Sequence, residues 1–303
     1  MRQEISAPLH ATVAAIDPDA TERRRRGRLA GIALGTIHLA ALAAFVPRFF
    51  SWPAVAVCWV LVYVTGGIGI CLGYHRLLTH RSLRVPKLLE RAIVTCGALA
   101  LQGGPITWIA THRAHHLYSD TDRDPHNARR GFFWSHVGWL FCYNPARLTR
   151  AQELRAARDI ASDPYYRFLE SYAILVQLAL AAVLFACGGI SWVIWGIFVR
   201  LVVTYHVTWL VNSSSHMTGY RRYRTDDLST NCWWVALLAS GEGWHNNHHA
   251  FPFSARHGLR WYEFDATWVA IRVLALAGLA TNVRTPSAAM LHRFAAQREI
   301  RKR

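Results

Sequence analysis

Long runs without charge dominate what this chain can become. Leu29 to Pro47 and Phe49 to Tyr74 contain no Asp, Glu, Lys or Arg, and from Ser171 to Met217 the only such residue is Arg200. A helix that crosses a bilayer needs about 20 predominantly apolar residues. Arg48 separates the first two runs, and Gly188-Gly189 splits the third into Ser171 to Cys187 and Ile190 to about Val211. Each pair reads as a helical hairpin, with spans near 29–47, 52–73, 170–187 and 190–211. With 52% hydrophobic and only 17% charged residues among 303, a soluble enzyme is excluded as the expectation. The chain instead reads as an all-α membrane protein, a basic cytosolic tail over 1–28 and one integral-membrane domain over 29–303.

Five arginines between 23 and 28 precede the first hairpin, and Arg76, Arg81, Arg84 and Lys87 follow it, against Arg48 alone in the turn. The positive-inside rule then puts both termini in the cytoplasm, with residues 76–169 and 212–303 forming a cytosolic cap. The first 20 residues lack the basic start, apolar core and cleavage site of a secretory signal. Ala92 to Thr111 is also uncharged, but Gln102-Gly103-Gly104-Pro105 interrupts it. A crossing there would separate the flanking histidines, so it is expected to be interfacial or buried in the cap. Arg200 is read as a snorkelling or internally paired residue with no assigned function. The six cysteines show no CxxC spacing, which argues against a disulfide framework or a thiolate metal site. The formal charge of +16 comes mostly from arginines flanking apolar segments. It fits anionic lipid or an acidic partner, and nucleic acid is not expected.

Nine of the sixteen histidines fall into four tight groups: His75 and His80 in HRLLTH, His112, His115 and His116 in HRAHH, His216 in NSSSH, and His245, His248 and His249 in HNNHH. Positions i, i+3 and i+4 share a helical face, so HRAHH and HNNHH can each aim three imidazoles one way, and Asn212 is i, i+4 with His216. A lone histidine is usually a hydrogen-bonded core residue. Three clusters with ligand spacing reverse that preference, because neutral imidazole binds iron, copper, nickel and zinc, and nine of them could hold two metals where one zinc needs about four ligands. The expected topology puts all nine on one side of the membrane.

The ordered set HRLLTH, THRAHH, TWLVNSSSH and GEGWHNNHHAFP, with DPHNARRGFFWSHVGW after the second box, resembles the membrane fatty acyl desaturases, in particular the acyl-CoA Δ9 group and its bacterial relatives, over roughly residues 30–290. The resemblance implies four transmembrane helices in two hairpins under a cytosolic helical cap. It implies that the nine histidines bind two iron ions and that Asn212 reaches one of them through a water. Dioxygen would be the cosubstrate, and the reaction would place a cis double bond in a saturated acyl chain during unsaturated fatty acid biosynthesis. No HPGG signature of a fused cytochrome b5 occurs in the sequence, so electrons are expected from a separate ferredoxin, rubredoxin or cytochrome b5, drawn to the Arg-rich cap. A bacterial inner membrane is the expected location.

By the same resemblance, Trp108, Thr208 and Trp209 would shape a kinked acyl tunnel, and His126, Asn127, Arg129 and Arg130 would lie near its head-group entrance. From the residues alone, each reads equally as packing or a solvated loop. Ala110-Thr111 stand where animal acyl-CoA members carry Arg-Asp, and Tyr143-Asn144 stand where they carry a basic pair. An acyl-lipid or acyl-carrier-protein substrate is therefore as compatible as acyl-CoA. The rival readings are a hydroxylase of the same chemistry and, in another class, a metal transporter, whose ligands should lie inside the spans.

Overall fold

The computed structural model describes residues 17–300, with side chains to residue 294. Its main helices are α1 (Ala20–Phe45), α2 (Trp52–Thr79), α3 (Lys87–Ala98), α4 (Pro105–Tyr118), α5 (Pro164–Val193), α6 (Arg200–Ser213), α7 (Trp233–Leu238), α8 (His245–Ala250) and α9 (Ala266–Leu276). Among the described residues the only extended pairings are three isolated bridges. Among the described residues three helical stretches are long and apolar enough to cross a membrane: α1, α2 and Pro164–His216.

The last of these is not a single rod. Gly189 takes φ 65° and ψ −159°, a combination essentially confined to glycine, and the chain doubles back there. A Cβ on Gly196 would stand 2.8 Å from Leu184 Cδ1, and Leu184, Ile197 and Leu201 share one buried cluster. The two turns meet, since Ser191 Oγ and Trp195 Nε1 donate to the Phe49 carbonyl at 2.7 and 3.1 Å.

The expected basic tail differs from the structure. From Ala20 onward the chain is already α1, and Arg23 donates to Arg147 O at 2.8 Å while Arg26 pairs with Glu153 at 2.6 Å. Arginine is a good helix former, so the basic block can be the anchored first turns of the helix it precedes. Residues 1–16 lie outside the described residues. The stretch is interrupted where Gln102-Gly103-Gly104-Pro105 stands: α3 ends at Ala98, α4 starts at Pro105, and Leu101 and Gly103 between them have φ 48° and 97°. Arg200 is fully buried rather than snorkelling. It donates to Gly196 O, Leu99 O and Thr65 Oγ1 at 2.9, 2.6 and 3.3 Å, tying that break to α2 and α6.

The lower part of α2 sets the geometry of the first histidine box. Over Tyr63–Thr79 the helix is wound in the wider π form, and His80 N donates to His75 O five residues back. In an α-helix, residues five apart point about 140° apart; in the wider winding they complete about one turn. The His75 and His80 rings accordingly stand 4.8 Å apart, centroid to centroid. Gly69 lets α2 pass α3, because a Cβ there would lie 2.3 Å from Gly97 N.

Between these residues Arg76 is wholly buried. It donates to Glu242 Oε1 at 3.0 Å, to Asp265 Oδ1 and Oδ2 at 3.0 Å each, and to Ala255 O at 2.8 Å. Removing it leaves two buried carboxylates unpaired, a loss typically of about 3–5 kcal/mol. Arg76→Met is therefore expected to lower the melting temperature of the detergent-solubilised protein sharply, while Arg81→Ala, at a side chain 61% exposed, should leave it nearly unchanged.

Candidate metal centre and substrate cavity

The nine histidines converge in two groups. His75, His80, His112, His116 and His248 form one, and His115, His216, His245 and His249 the other; in each, one ring nitrogen per residue lies within 4.8 Å of all the rest. Helix periodicity does the sorting: α4 sends His112 and His116 to the first group and His115 to the second, and α8 divides His248 from His245 and His249. His216 enters from a single turn of 3₁₀ helix, Ser214–His216, at the end of α6.

The far nitrogens fix the tautomers. The Nδ1–H groups of His75, His115, His216 and His249 donate to Glu242, Asp124, Asp120 and Asp227 at 2.7, 3.0, 2.9 and 2.6 Å. Neutral rings so oriented present bare Nε2 lone pairs to one another. In the first group Nε2 follows Nε2 from His75 to His248 to His116 to His112 to His80 at 3.1, 2.9, 3.0 and 3.2 Å, and in the second His115 and His249 stand 3.3 Å apart. The buried His216 Nε2 and both nitrogens of His245 have no protein partner. Imidazole nitrogens bind a metal at about 2.1 Å, which puts neighbouring ligands about 3 Å apart. The donor set therefore fits two cations, one in each group.

Electrostatics agree with neutral donors at most of these rings, although at His115 burial is outweighed by Asp124 and the neighbouring carboxylates, which raise it. Burial, and then the neighbouring rings, push His80, His112, His116, His245 and His248 well below the ordinary imidazole range. Burial is the largest influence on the Asp120 carboxyl and would raise it, but the hydrogen bond and charge of His216, the Leu228 N–H and the charge of His115 together outweigh it and hold the group at about 2. The same opposition keeps Asp124 and Asp227 far below the usual carboxylate range.

Sequence reasoning missed these four carboxylates. Glu242 and Asp124 sit in motifs that were in view, GEGW and DPHN, where an acid near a histidine box is the available signal. Asp120 and Asp227 come from loops, and no spacing announces them. It also missed His257, whose Nδ1 lies 3.1 Å from Glu242 Oε2. The asparagines of HNNHH are ties: Asn246 Oδ1 accepts from Arg222 N and Tyr223 N, both at 2.8 Å, and Asn247 Nδ2 donates to His257 O and Glu263 Oε2 at 2.9 and 2.8 Å.

Two cavities of about 310 and 300 Å³ adjoin the histidines. Trp108, His112, Thr208 and Asn212 wall both, so these residues form their junction. Trp108 stacks on His112 with centroids 5.0 Å apart, and Gln102 Nε2 donates to Thr208 Oγ1 at 2.8 Å. Trp209 and His126 line the first cavity only, which ends at Arg26, Arg147 and Glu153. The second runs between α2 and α7, along Tyr63, Gly66 and Gly67 to Leu237 and Leu238. Asn127, Arg129 and Arg130 are not brought to either wall. Asn127 is buried and accepts from Arg129 N at 2.9 Å, Arg129 Nε donates to Asp120 O at 3.0 Å, and Arg130 lies 3.2 Å over the Trp134 ring.

A family model for fatty acid desaturases matches residues 50–284. The chain is 57% identical over 82% of its length to the sn-1 stearoyl-lipid 9-desaturase of Anabaena variabilis, covering 90% of that protein. It is 54% identical over 83% of its length to the protein of the same description from Synechocystis sp., covering 78% of it. It is 50% identical over 86% of its length to the chloroplastic palmitoyl-monogalactosyldiacylglycerol delta-7 desaturase of Arabidopsis thaliana, covering 69%. Converging histidines beside an apolar double cavity on long apolar helices are thus those of a membrane oxidoreductase, and the chain belongs to the fatty acid desaturase family. It is an enzyme that unsaturates fatty acyl chains.

Carboxylates that orient ligating histidines commonly contribute 10- to 100-fold in metal affinity. Asp124→Asn and Asp227→Asn should each weaken metal retention about tenfold or more in chelator competition, whereas Asp122→Asn, on an exposed residue outside both groups, should not.

Proposed function

We propose that this enzyme is an oxygen-dependent acyl-lipid Δ9 desaturase, which removes two vicinal hydrogens from a saturated chain esterified in a membrane glycerolipid and leaves a cis double bond. The observation that carries the reading is the junction walled by Trp108, His112, Thr208 and Asn212, where both cavities meet the histidine groups. The names of the two cyanobacterial relatives support the Δ9 position and the lipid carrier. Ala110-Thr111, in place of the Arg-Asp pair of acyl-CoA members, supports the same carrier.

In this reading His75, His80, His112, His116 and His248 hold one iron, and His115, His216, His245 and His249 hold the other, with Asn212 reaching it through a water. Two reduced irons supply, from dioxygen, the oxidising power that an unactivated methylene demands and that redox-silent zinc lacks. Over a turnover, two C–H bonds break and one C=C bond forms, and dioxygen takes two external electrons and two protons to become two waters.

The protein's own part is positioning. The apolar walls exclude water, and Trp108 with the Gln102–Thr208 pair holds the reacting carbons against the histidines. The Arg26, Arg147 and Glu153 end of the first cavity meets the glycerol ester, and the methyl end runs into the second. Asn127, Arg129 and Arg130 would act on the head group from outside the cavity. The architecture belonging to this reading has four spans, with Gly189 as the turn of the second hairpin, a cytosolic cap and both termini in the cytoplasm of a bacterial inner membrane. A separate carrier of the ferredoxin, rubredoxin or cytochrome b5 type delivers the electrons.

Expression in a desaturase-deficient host, with lipid classes separated and the double bond located by mass spectrometry, tests this directly. Cis-Δ9 chains on glycerolipids are the expected result, and hydroxylated chains, or product confined to acyl-CoA, would refute it. His249→Ala should abolish product without preventing membrane insertion. Conservative changes at Thr208 or Trp209 should alter bond position or chain-length preference more than metal content, and changes at Arg129 or Arg130 should leave bond position alone.

A further inference from the structure

A polar groove of about 590 Å³ shares no wall residue with either substrate cavity. Leu77, Leu78 and Leu83 form part of its wall, so it borders the same segment that carries His75 and His80. Arg81, Arg84, Lys87 and Arg284 bring positive charge to it, against Glu90, Asp159 and Asp163. Those acids are already engaged. Asp159 accepts from Arg81 and from Arg113, at 2.7 Å for the latter, and Lys87 pairs with Glu90 and Asp163 at 2.7 and 2.9 Å. Arg84 and Arg284 are exposed and have no acidic partner among the described residues. Backbone pairing brings them together: Arg84 bridges Thr281, and Arg284 N donates to Ser82 O at 2.8 Å.

We infer that this groove is the docking face for the electron donor, a small acidic one-electron carrier protein. The inference rests on the proposed desaturase reading, which requires an external reductant. Electron transfer falls steeply with distance, so a carrier must sit where little protein separates it from the ligands. Here Leu78 is two residues from His80, and Arg113, which donates to Leu78 O at 3.4 Å, follows His112 directly. A carrier seated over Leu78 therefore faces two ligand-bearing segments at once. Arg84 and Arg284 offer the unsatisfied cations that an acidic face would meet. Each docking passes one electron, and two serve one double bond, with the two protons drawn from water.

The test uses the full chain in detergent and an acidic [2Fe–2S] ferredoxin. Binding is measured directly, and desaturation is driven either by reduced ferredoxin or by anaerobic prereduction with dithionite, the excess being removed before dioxygen is admitted. Wild-type binding should weaken as salt rises. Arg84→Glu with Arg284→Glu should weaken it about tenfold, the effect of two reversed surface charges, and slow ferredoxin-driven turnover while dithionite-driven turnover is unchanged. Arg123→Glu with Arg224→Glu, a charge-matched pair elsewhere, should bind as the wild type does. Equal binding by the groove variant, or equal loss in the control pair, would overturn the inference. So would a groove variant that binds ferredoxin normally but loses copurifying anionic phospholipid. Failure of the wild type to desaturate with dithionite would instead count against the desaturase reading, with the binding measurement still deciding the groove.

Discussion

Glu242 holds together two things that could have been separate, a buried ion network and the aim of a histidine in the first group. One oxygen accepts from the buried Arg76 at 3.0 Å and the other accepts from His75 Nδ1 at 2.7 Å. Arg76 in turn needs Asp265, just before α9, and the Ala255 carbonyl beyond α8. The guanidinium thus draws three distant segments to the back of the first histidine group. A buried charge network of this kind is weak evidence of extra stability, because burying the ions is itself costly. Its value lies in specificity, since only one arrangement of these segments satisfies every donor. Metal-binding geometry then follows from a condition the fold must meet in any case.

How much of this was legible beforehand depended on the kind of pattern involved. Charge-free runs announced the long apolar helices, and the Gly188-Gly189 break was visible because glycine is the residue a sharp reversal demands. The nine histidines stood out through i, i+3 and i+4 spacing, and the structure divides them five and four. The partners of those histidines were hidden. Asp120 and Asp227 act across 96 and 22 residues of sequence respectively, and a contact over that separation leaves no local period. Arg26, Arg147 and Glu153 were passed over for the same reason: the first sits in what looks like a basic tail, and only its approach to Glu153 makes it part of a cavity. Arg200 looked like a liability at membrane depth, and it is held there by the Leu99 carbonyl at the α3–α4 break together with Gly196 O and Thr65 Oγ1, while its Nη2 has no partner among the described residues.

The division of labour across the fold follows from these contacts. Long apolar helices supply walls, and the loops and short helices that follow supply ligands and their carboxylates. The substrate cavities lie where the two meet, with α1, α4 and α6 around one and α2, α6 and α7 around the other. A chain drawn from a membrane lipid can therefore stay in an apolar environment along its length while the reacting carbons reach a polar, histidine-lined site. The ligands need no exposure to bulk water for this, and His75, His115, His216, His245 and His248 are indeed buried.

The π-wound part of α2 carries a different kind of information from the side chains around it. His75 and His80 face the same way because of how the backbone is coiled between Tyr63 and Thr79, a coiling that Thr79 supports by donating its hydroxyl to Tyr74 O at 2.7 Å. A scan that replaces side chains one at a time changes the contacts around this coiling but keeps the number of residues in it. Length is the property it cannot change. One residue added or lost between His75 and His80 would turn His80 away from its group, so the first box depends on count as well as on spelling.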